Sequence, residues 1–379
     1  MVENHQRSIE VLQELGANPA VPFHEQSVAS YIKTFISKLG MEMCLDPYGT
    51  ILTHYQTQST AEDQPIAFVA HMDHPGFEVI ESSKKQIIAR GLGGVPEAAF
   101  TKPTAVTALV KEVGRIQGMT RPSNNFTNSE NGDRLILIDT NQQQSIPAGT
   151  PIIFDLPDFE FDDQLIRMRA LDDLAGCASI LIMLERLIFS QSKANVYGIF
   201  TRAEETGLYG ARLLASSGML PQNTIIISIE SSSVIPGVSQ GKGPVIRTGD
   251  ASTTFDFQAE YFLKSAAIRL KNKKGKFDTQ RQLMSGGTCE ATAFSSMGYR
   301  STGIAFPLGN YHNATTTIRD PEGNVDAEYI DLSDYLDGIE LAFETSLGST
   351  CSSESNNKGW DLGSVPLDIK KRLQSSFQP

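Results

Sequence analysis

Two histidines and four carboxylates stand in this sequence at places where an open α/β sheet would bring them together. His71 follows the apolar run Pro65 to Ala70, Asp172 follows LIRMRAL, Glu204 and Glu205 follow VYGIFT, Glu230 ends TIIISI, and His312 comes shortly after STGIAFP. Residues just past the carboxyl ends of parallel strands converge on one crevice. Imidazoles mixed with carboxylates suit zinc, cobalt or manganese better than a thiolate site or an all-oxygen calcium cage. Such a set supports metal-assisted hydrolysis, in which a bound water has its pKa lowered and a neighbouring carboxylate accepts its proton.

The local spacing adds detail. In HMDHPG, Asp73 lies two residues after His71, so on a continuing strand it shares a face with the imidazole and can accept its second N–H. In RALDDLAG, Asp172 stands where a strand turns into a helix, a position from which one carboxylate can bridge two cations. Glu204 and Glu205 are adjacent and can diverge, one towards a metal and one towards a bound water. Each pair also has an ordinary explanation: Asp172-Asp173 as a helix cap and Glu204-Glu205 as an acidic helix start. Their joint occurrence at successive strand ends favours the site. His5, His24 and His54 carry no such context, and His74 stands between pocket lining and a structural role. The acidic run Asp155, Asp158, Glu160, Asp162 and Asp163 reads as a solvated face. GLGGV at residue 91 lacks the strand and helix of a phosphate loop and is assigned to a turn, whereas SGGT at residue 285 is expected to shape the pocket floor.

The elements that must position these residues alternate strand and helix, which predicts a doubly wound α/β fold with a mainly parallel sheet. Between residues 76 and 163 the texture changes to short β-rich runs with Gly, Pro and Asn punctuation, which predicts an inserted small β-domain. The expected organisation is a discontinuous catalytic domain, 1–75 and 164–348, the inserted domain 76–163, and a polar tail 349–379.

With 379 residues, 40% of them apolar, the chain can build one large core and a smaller one. A formal charge of −12 opposes nucleic-acid and anionic-membrane binding. The polar start MVENHQRSIEVLQELG and the lack of any long apolar run predict a cytoplasmic protein. Cys44, Cys177, Cys289 and Cys351 are scattered without metal or disulfide spacing.

HMDHPG, ALDDLAG, RAEETGLYGA, the strand-terminal Glu230, and SGGTCEA followed by PLGNYHN resemble, in this order, the co-catalytic metal aminopeptidases of the M42 type, the glutamyl and tetrahedral aminopeptidases. The resemblance implies hydrolysis of the N-terminal peptide bond of peptide substrates and two divalent metals per subunit, zinc or cobalt first and manganese next. It implies that Asp172 bridges, that His71 and Glu230 complete one metal, and that Glu205 and His312 complete the other. Glu204 matches the general base, Asp73 the His-orienting carboxylate, and Asp172-Asp173 a bond that is often cis in such enzymes. It further implies a homo-oligomer assembled through the inserted domain. Several residues depart from the pattern: Glu230 where Asp is commoner, His74 where Glu is usual, Cys289 where Asp often stands, and Asn313 in place of Ser. The other readings of such a site are a dimetal carboxypeptidase or N-acyl amino-acid deacylase, and a non-catalytic metal-binding scaffold.

Overall fold

The computed structural model describes residues 2–57, 64–111, 113–122, 134–141, 145–162, 164–350 and 366–376. Helices α1 (Val2–Gly16) and α2 (Gln26–Lys38) lead into strands β1 (Met43–Leu45), β2 (Ile51–Gln56) and β3 (Ile66–His71). Then come β4 (Gly76–Ser83), β5 (Gln86–Leu92), the short helix α3 (Glu97–Thr101), β6 (Ala105–Val110), β7 (Gly114–Arg121), β8 (Leu135–Thr140) and β9 (Pro151–Phe154). Strands β10 (Glu160–Asp162) and β11 (Leu165–Met168) lead to α4 (Leu171–Ser190), β12 (Asn195–Thr201), α5 (Tyr209–Ser216) and β13 (Ile225–Ser233). The remainder is β14 (Val245–Asp250), α6 (Phe257–Lys274), β15 (Gln280–Met284), α7 (Glu290–Ser296), β16 (Arg300–Leu308), β17 (Glu328–Asp331), α8 (Leu332–Ser346) and α9 (Leu367–Ser376).

Eight strands form the central sheet in the order β1-β2-β12-β3-β13-β16-β14-β15. Its middle, β12-β3-β13-β16, is parallel. The sheet is mixed: β1 and β2 run antiparallel at one edge, β14 runs antiparallel to β16, and β14 and β15 pair in parallel. The physical reason at the first edge is a tight turn, because a short connection can join only antiparallel neighbours. Asp46 makes that turn, its carboxylate accepting from the amides of Tyr48 and Thr50.

Every residue of β3 is buried, as expected for a strand covered on both faces. Ile66, Phe68 and Ala70 pack into the large core with α1, α2, α4, α6 and α8, whereas Ala67 and Val69 meet the core formed by α5 and α7. Helix α4 is apolar nearly all round, the composition of a helix enclosed by other elements. Asp256 caps α6 through the amide of Ala259, and Lys271, Lys273 and Lys274 occupy its last turn, where they complement the helix dipole.

Strands β4 to β9 close into a barrel in the order β4-β5-β8-β7-β6-β9, filled by Phe77, Ile87, Ala89, Ile138, Ile152 and Phe154 among others. Strand β10 does not join it; β10, β11 and β17 form a separate three-stranded sheet. Asp163, most of the polar tail (351–365 and 377–379) and Cys351 lie outside the described residues. The described cysteines are unpaired: Cys44 is exposed, and Cys177 and Cys289 are buried.

Candidate active site

The register of the parallel strands makes the first part of the site. Thr201 of β12 lies opposite His71, the last residue of β3. Ser228 of β13 lies opposite Val69, so Glu230, two residues further on, comes level with His71. Glu230 does not end its strand as expected, because β13 continues to Ser233 against β16. Beyond β12 the backbone passes through Ala203 at φ 50°, a left-handed conformation that non-glycine residues seldom adopt. This turn sends Glu204 towards His71 and Glu205 towards His312.

At the head of α4 the Asp pair divides its duties. Asp172 and Asp173 both have non-helical dihedrals, and the bond between them is cis. Asp173 takes the capping role, its Oδ1 accepting from the Gly176 amide at 3.0 Å. Asp172 is left to face the site. His312 arrives differently, on a 3₁₀ turn, Tyr311–Asn313, with Asn310, His312 and Asn313 all at positive φ.

Asp172 Oδ1 is 3.4 Å from His71 Nε2, and its Oδ2 is 3.7 Å from His312 Nε2. Glu205 Oε2 is 3.3 Å from His312 Nε2, and Glu204 Oε2 and Glu230 Oε2 are each 4.0 Å from His71 Nε2. The donor atoms of His71, Asp172 and Glu230 lie within 4.8 Å of one another, as do those of Asp172, Glu205 and His312, so Asp172 belongs to both groups. His71 with Glu204 and Glu205, and Glu204 with Glu230 and Glu290, are similarly close.

Burial drives the Glu204 and Glu205 carboxyls well above the usual carboxylate range, and neighbouring carboxylates push them further. Burial pulls His71 down, but Glu204 and Asp172 outweigh it and raise the ring well above its ordinary value. His312 moves the other way, to about 3, through burial and then the nearby His74. Asp172 Oδ1 and Glu205 Oε1 are buried with no hydrogen-bond partner. Crowded carboxylates with orphaned oxygens and two imidazoles are a donor set that divalent cations fit, because the cations neutralise charge that burial otherwise penalises.

The residues that hold this cluster were not all expected. The Nδ1 atom of His71 faces the main-chain oxygen of Asp73 at 3.0 Å, and the Asp73 carboxylate lies 3.9 Å away. That carboxylate accepts instead from the amides of Glu204 and Glu205, at 3.0 and 3.1 Å. The reason is that β3 ends at His71, so strand alternation does not carry to Asp73. Two further buried carboxylates, missed in the sequence, act in the same manner. Glu25 accepts from the Ala203 amide and from Arg202 Nε, gripping the turn before Glu204. Glu328 accepts from the amides of Leu171, Asp172 and His312 at 2.7, 3.0 and 2.9 Å. His74 is outside the donor groups; its ring lies between the Asp172 carbonyl and Asn313 Oδ1, each at 2.8 Å.

Behind Glu230, Ser228 Oγ donates to Glu230 and Glu290, and Thr201 donates to Glu290. Burial acts against it, yet the Glu290 hydrogen bond and Arg247 hold Glu230 below its ordinary value. The cluster opens into a cavity of about 400 Å³, lined also by Leu208, Met284, Gly286, Gly287, Thr288 and Tyr311. GLGGV does more than turn: the Gly94 carbonyl accepts from His312 Nδ1 at 3.1 Å, and a Cβ on Gly94 would overlap that ring. The glycine pair was the signal for this close approach.

Overlapping His/carboxylate groups at the ends of a parallel-centred sheet define a metal-site α/β protein. The sequence model of the M42 glutamyl aminopeptidase family matches residues 49–325, and the chain belongs to that family. Among solved structures, the chain is similar to the aminopeptidase APDkam598 from Desulfurococcus kamchatkensis (TM-score 0.75, 22% identity, 95% of this chain and 99% of that one). It is also similar to the TET1 peptidase of Pyrococcus horikoshii, described as assembling into a tetrahedron or a large octahedral shell (TM-score 0.72, 21% identity, 89% and 99%). At these identities the likeness is one of fold. A putative aminopeptidase of Acetivibrio thermocellus is 25% identical over 156 residues, 39% of this chain and 45% of that protein. The aligned stretch thus spans under half the length of that curated relative. No helix among the described residues is long and apolar enough to cross a membrane.

Proposed function

We propose that this chain is an aminopeptidase whose site holds two divalent cations, zinc, cobalt or manganese. The observation that carries the reading is Asp172, whose two carboxylate oxygens face His71 and His312 in two donor groups. His71, Glu230 and Asp172 would hold one ion and Asp172, Glu205 and His312 the other. When bound, the ions supply Lewis-acid polarisation of the scissile carbonyl and a water acidic enough to attack at neutral pH.

Glu204 is the general base. Glu204 and Glu205 both line the cavity, but Glu205 turns to His312, whereas Glu204, its carboxyl raised by burial, lies outside the two groups that share Asp172 and is suited to holding a proton between steps. It takes the proton of the attacking water and returns it to the leaving amine. Asp73, Glu25 and Glu328 act at one remove, fixing the backbone from which Glu204, Glu205, Asp172 and His312 project. By the same reading residues 1–75 and 164–348 form the catalytic domain, and 76–163 an inserted domain through which copies associate in the cytoplasm.

The test combines metal analysis of the purified protein with hydrolysis of amino-acyl p-nitroanilides bearing a free or an acylated amine. Release from the free-amine substrate alone, with stoichiometric metal, is expected. Glu204→Gln should keep its metal and lose about 10²- to 10⁴-fold in kcat. A chain that binds no metal and stays inactive when metal is added sinks the enzyme reading. Preference for the acylated substrate turns it into a deacylase.

A further inference from the structure

Tyr311 immediately precedes His312 on the same 3₁₀ turn. Its ring stacks on the imidazole with centroids 3.9 Å apart and planes 30° from parallel. That stack fixes the ring and leaves the hydroxyl in the cavity, which Tyr311 lines together with Asp172, Glu204, Glu205 and Glu230. Across from it stands Gly287, where an added Cβ would lie 3.4 Å from the phenol oxygen. The missing side chain keeps that approach open.

Tyr311 Oη has no hydrogen-bond partner among the described residues. Three other tyrosines in this chain have one: Tyr55 donates to Ser192 O, Tyr299 to Leu220 O and Tyr335 to Ser8 O. Tyr311 is half-buried on the cavity lining, where a substrate group can reach its hydroxyl. Several of the other donors around the cavity are engaged or enclosed. Ser231 donates to Leu171 O, Thr288 pairs with Ser252, and Arg212 donates to Gly207 O. The unpartnered Nε and Nη1 of Arg247 are buried beside Glu230. A rigid, neutral, unpaired donor beside a cluster of acceptors is suited to a substrate group that gains negative charge.

Resting on the aminopeptidase reading, we propose that Tyr311 is a further catalytic residue, donating its Oη–H to the scissile carbonyl oxygen as that oxygen becomes an oxyanion. Water oxygen bonds to the carbonyl carbon, the π pair moves onto the carbonyl oxygen, and Glu204 takes the water proton. On collapse the π bond re-forms and the C–N bond breaks. Its pair stays on nitrogen, which receives the proton from Glu204. Tyr311 keeps its own proton throughout.

Tyr311→Phe separates this role from stacking, because it retains the ring and removes the hydroxyl alone. The expected result is a loss of about 10²-fold in kcat, the usual cost of one oxyanion donor, with KM changed by less than about 3-fold and metal content unaltered. Calorimetry should show a similar loss of affinity for a phosphinate dipeptide, which mimics the tetrahedral oxyanion, and none for the free product amino acid. A Phe variant with wild-type turnover and undiminished phosphinate affinity overturns the proposal. Loss of metal in Tyr311→Ala together with that result assigns the residue to stacking alone and overturns it equally. Wild-type turnover is measured first: a metal-bound wild type that releases no amino acid overturns the aminopeptidase reading, whereas an active wild type with an unaffected Phe variant overturns only the role of Tyr311.

Discussion

His71 and His312 reach the same carboxylate from opposite sides, but their backbones are held by different means. On the His71 side the sheet does the positioning: β3 lies between β12 and β13, and the parallel ladder fixes Thr201, His71 and Glu230 at one level. On the His312 side no ladder among the described residues carries the ring, and only single antiparallel bridges, Gly309 with Tyr329 and Ala314 with Val325, flank the turn. Three residues in left-handed conformations carry the ring, and the turn is tied down by Glu328, by the Gly94 carbonyl, and by Asn313 through His74 and Arg169 O. A register shared by several strands tolerates the loss of one side-chain contact. A turn held by a few buried polar groups does not, since each lost partner leaves a buried donor unpaired.

The largest effect is therefore expected at Glu328. Glu328→Ala strips the acceptor from three backbone amides and should cost on the order of 3 kcal/mol of stability. It should also weaken metal binding by about 10- to 100-fold. Competition with a chelator reads the second effect and urea unfolding the first, and unchanged metal affinity would show that the loop holds its shape unaided.

His74 tests the same side through pH. Burial lowers its pKa from 6.5 to about 4, so below about 6.5 the unfolded chain binds a proton that the folded chain refuses until about pH 4. The stability it contributes is thus present above pH 6.5 and lost as the pH falls towards 4. The loss totals on the order of 3 kcal/mol at 1.36 kcal/mol per unit. His74→Gln removes that loss. The difference between variant and wild type in urea unfolding of metal-free protein should change with this slope, the raised carboxylates being common to both. Parallel curves from pH 7 to 4 would refute the assignment.

The smallest change is expected on the sheet side. Ser228→Ala removes a hydroxyl that donates to Glu230 and Glu290, yet Glu230 keeps its strand register. About 1 kcal/mol of stability and less than about 3-fold in metal affinity should be lost. A loss as large as that of Glu328→Ala would erase the distinction between the two sides.

The same division explains what could be read in the sequence. His71, Asp172, Glu204 and Glu205 follow apolar runs that form strands, and a short-range pattern is enough to find them. His312 was legible through its motif and its place shortly after STGIAFP, but nothing local announces the left-handed turn in NYHN that carries it. Glu25 and Glu328 were invisible because they act on backbone amides 178 and 156 residues away, which no residue type at the receiving end reveals. Asp73 stands in HMDHPG, but its carboxylate meets the Glu204 and Glu205 amides and not the His71 ring, since strand alternation ends with β3. In the fold, the parallel centre announced itself through apolar runs. The strands β1 and β15 at the sheet edges, and β14 beside β15, are short or polar, so neither their presence nor their direction could be read. Helix α6 went unread because Phe262, Leu263, Ala266 and Leu270 are spaced among many charged residues.

The turn at Gly93 and Gly94 bears on how this protein can change over generations. It belongs to the chain between β5 and α3, yet it touches Glu205 and His312. The barrel is therefore not a passenger that could be exchanged for another at will. Variation can accumulate in its outlying loops, such as Lys84-Lys85, without reaching the cavity. A graft or deletion that displaced this one turn would be inherited as a defect in the chemistry.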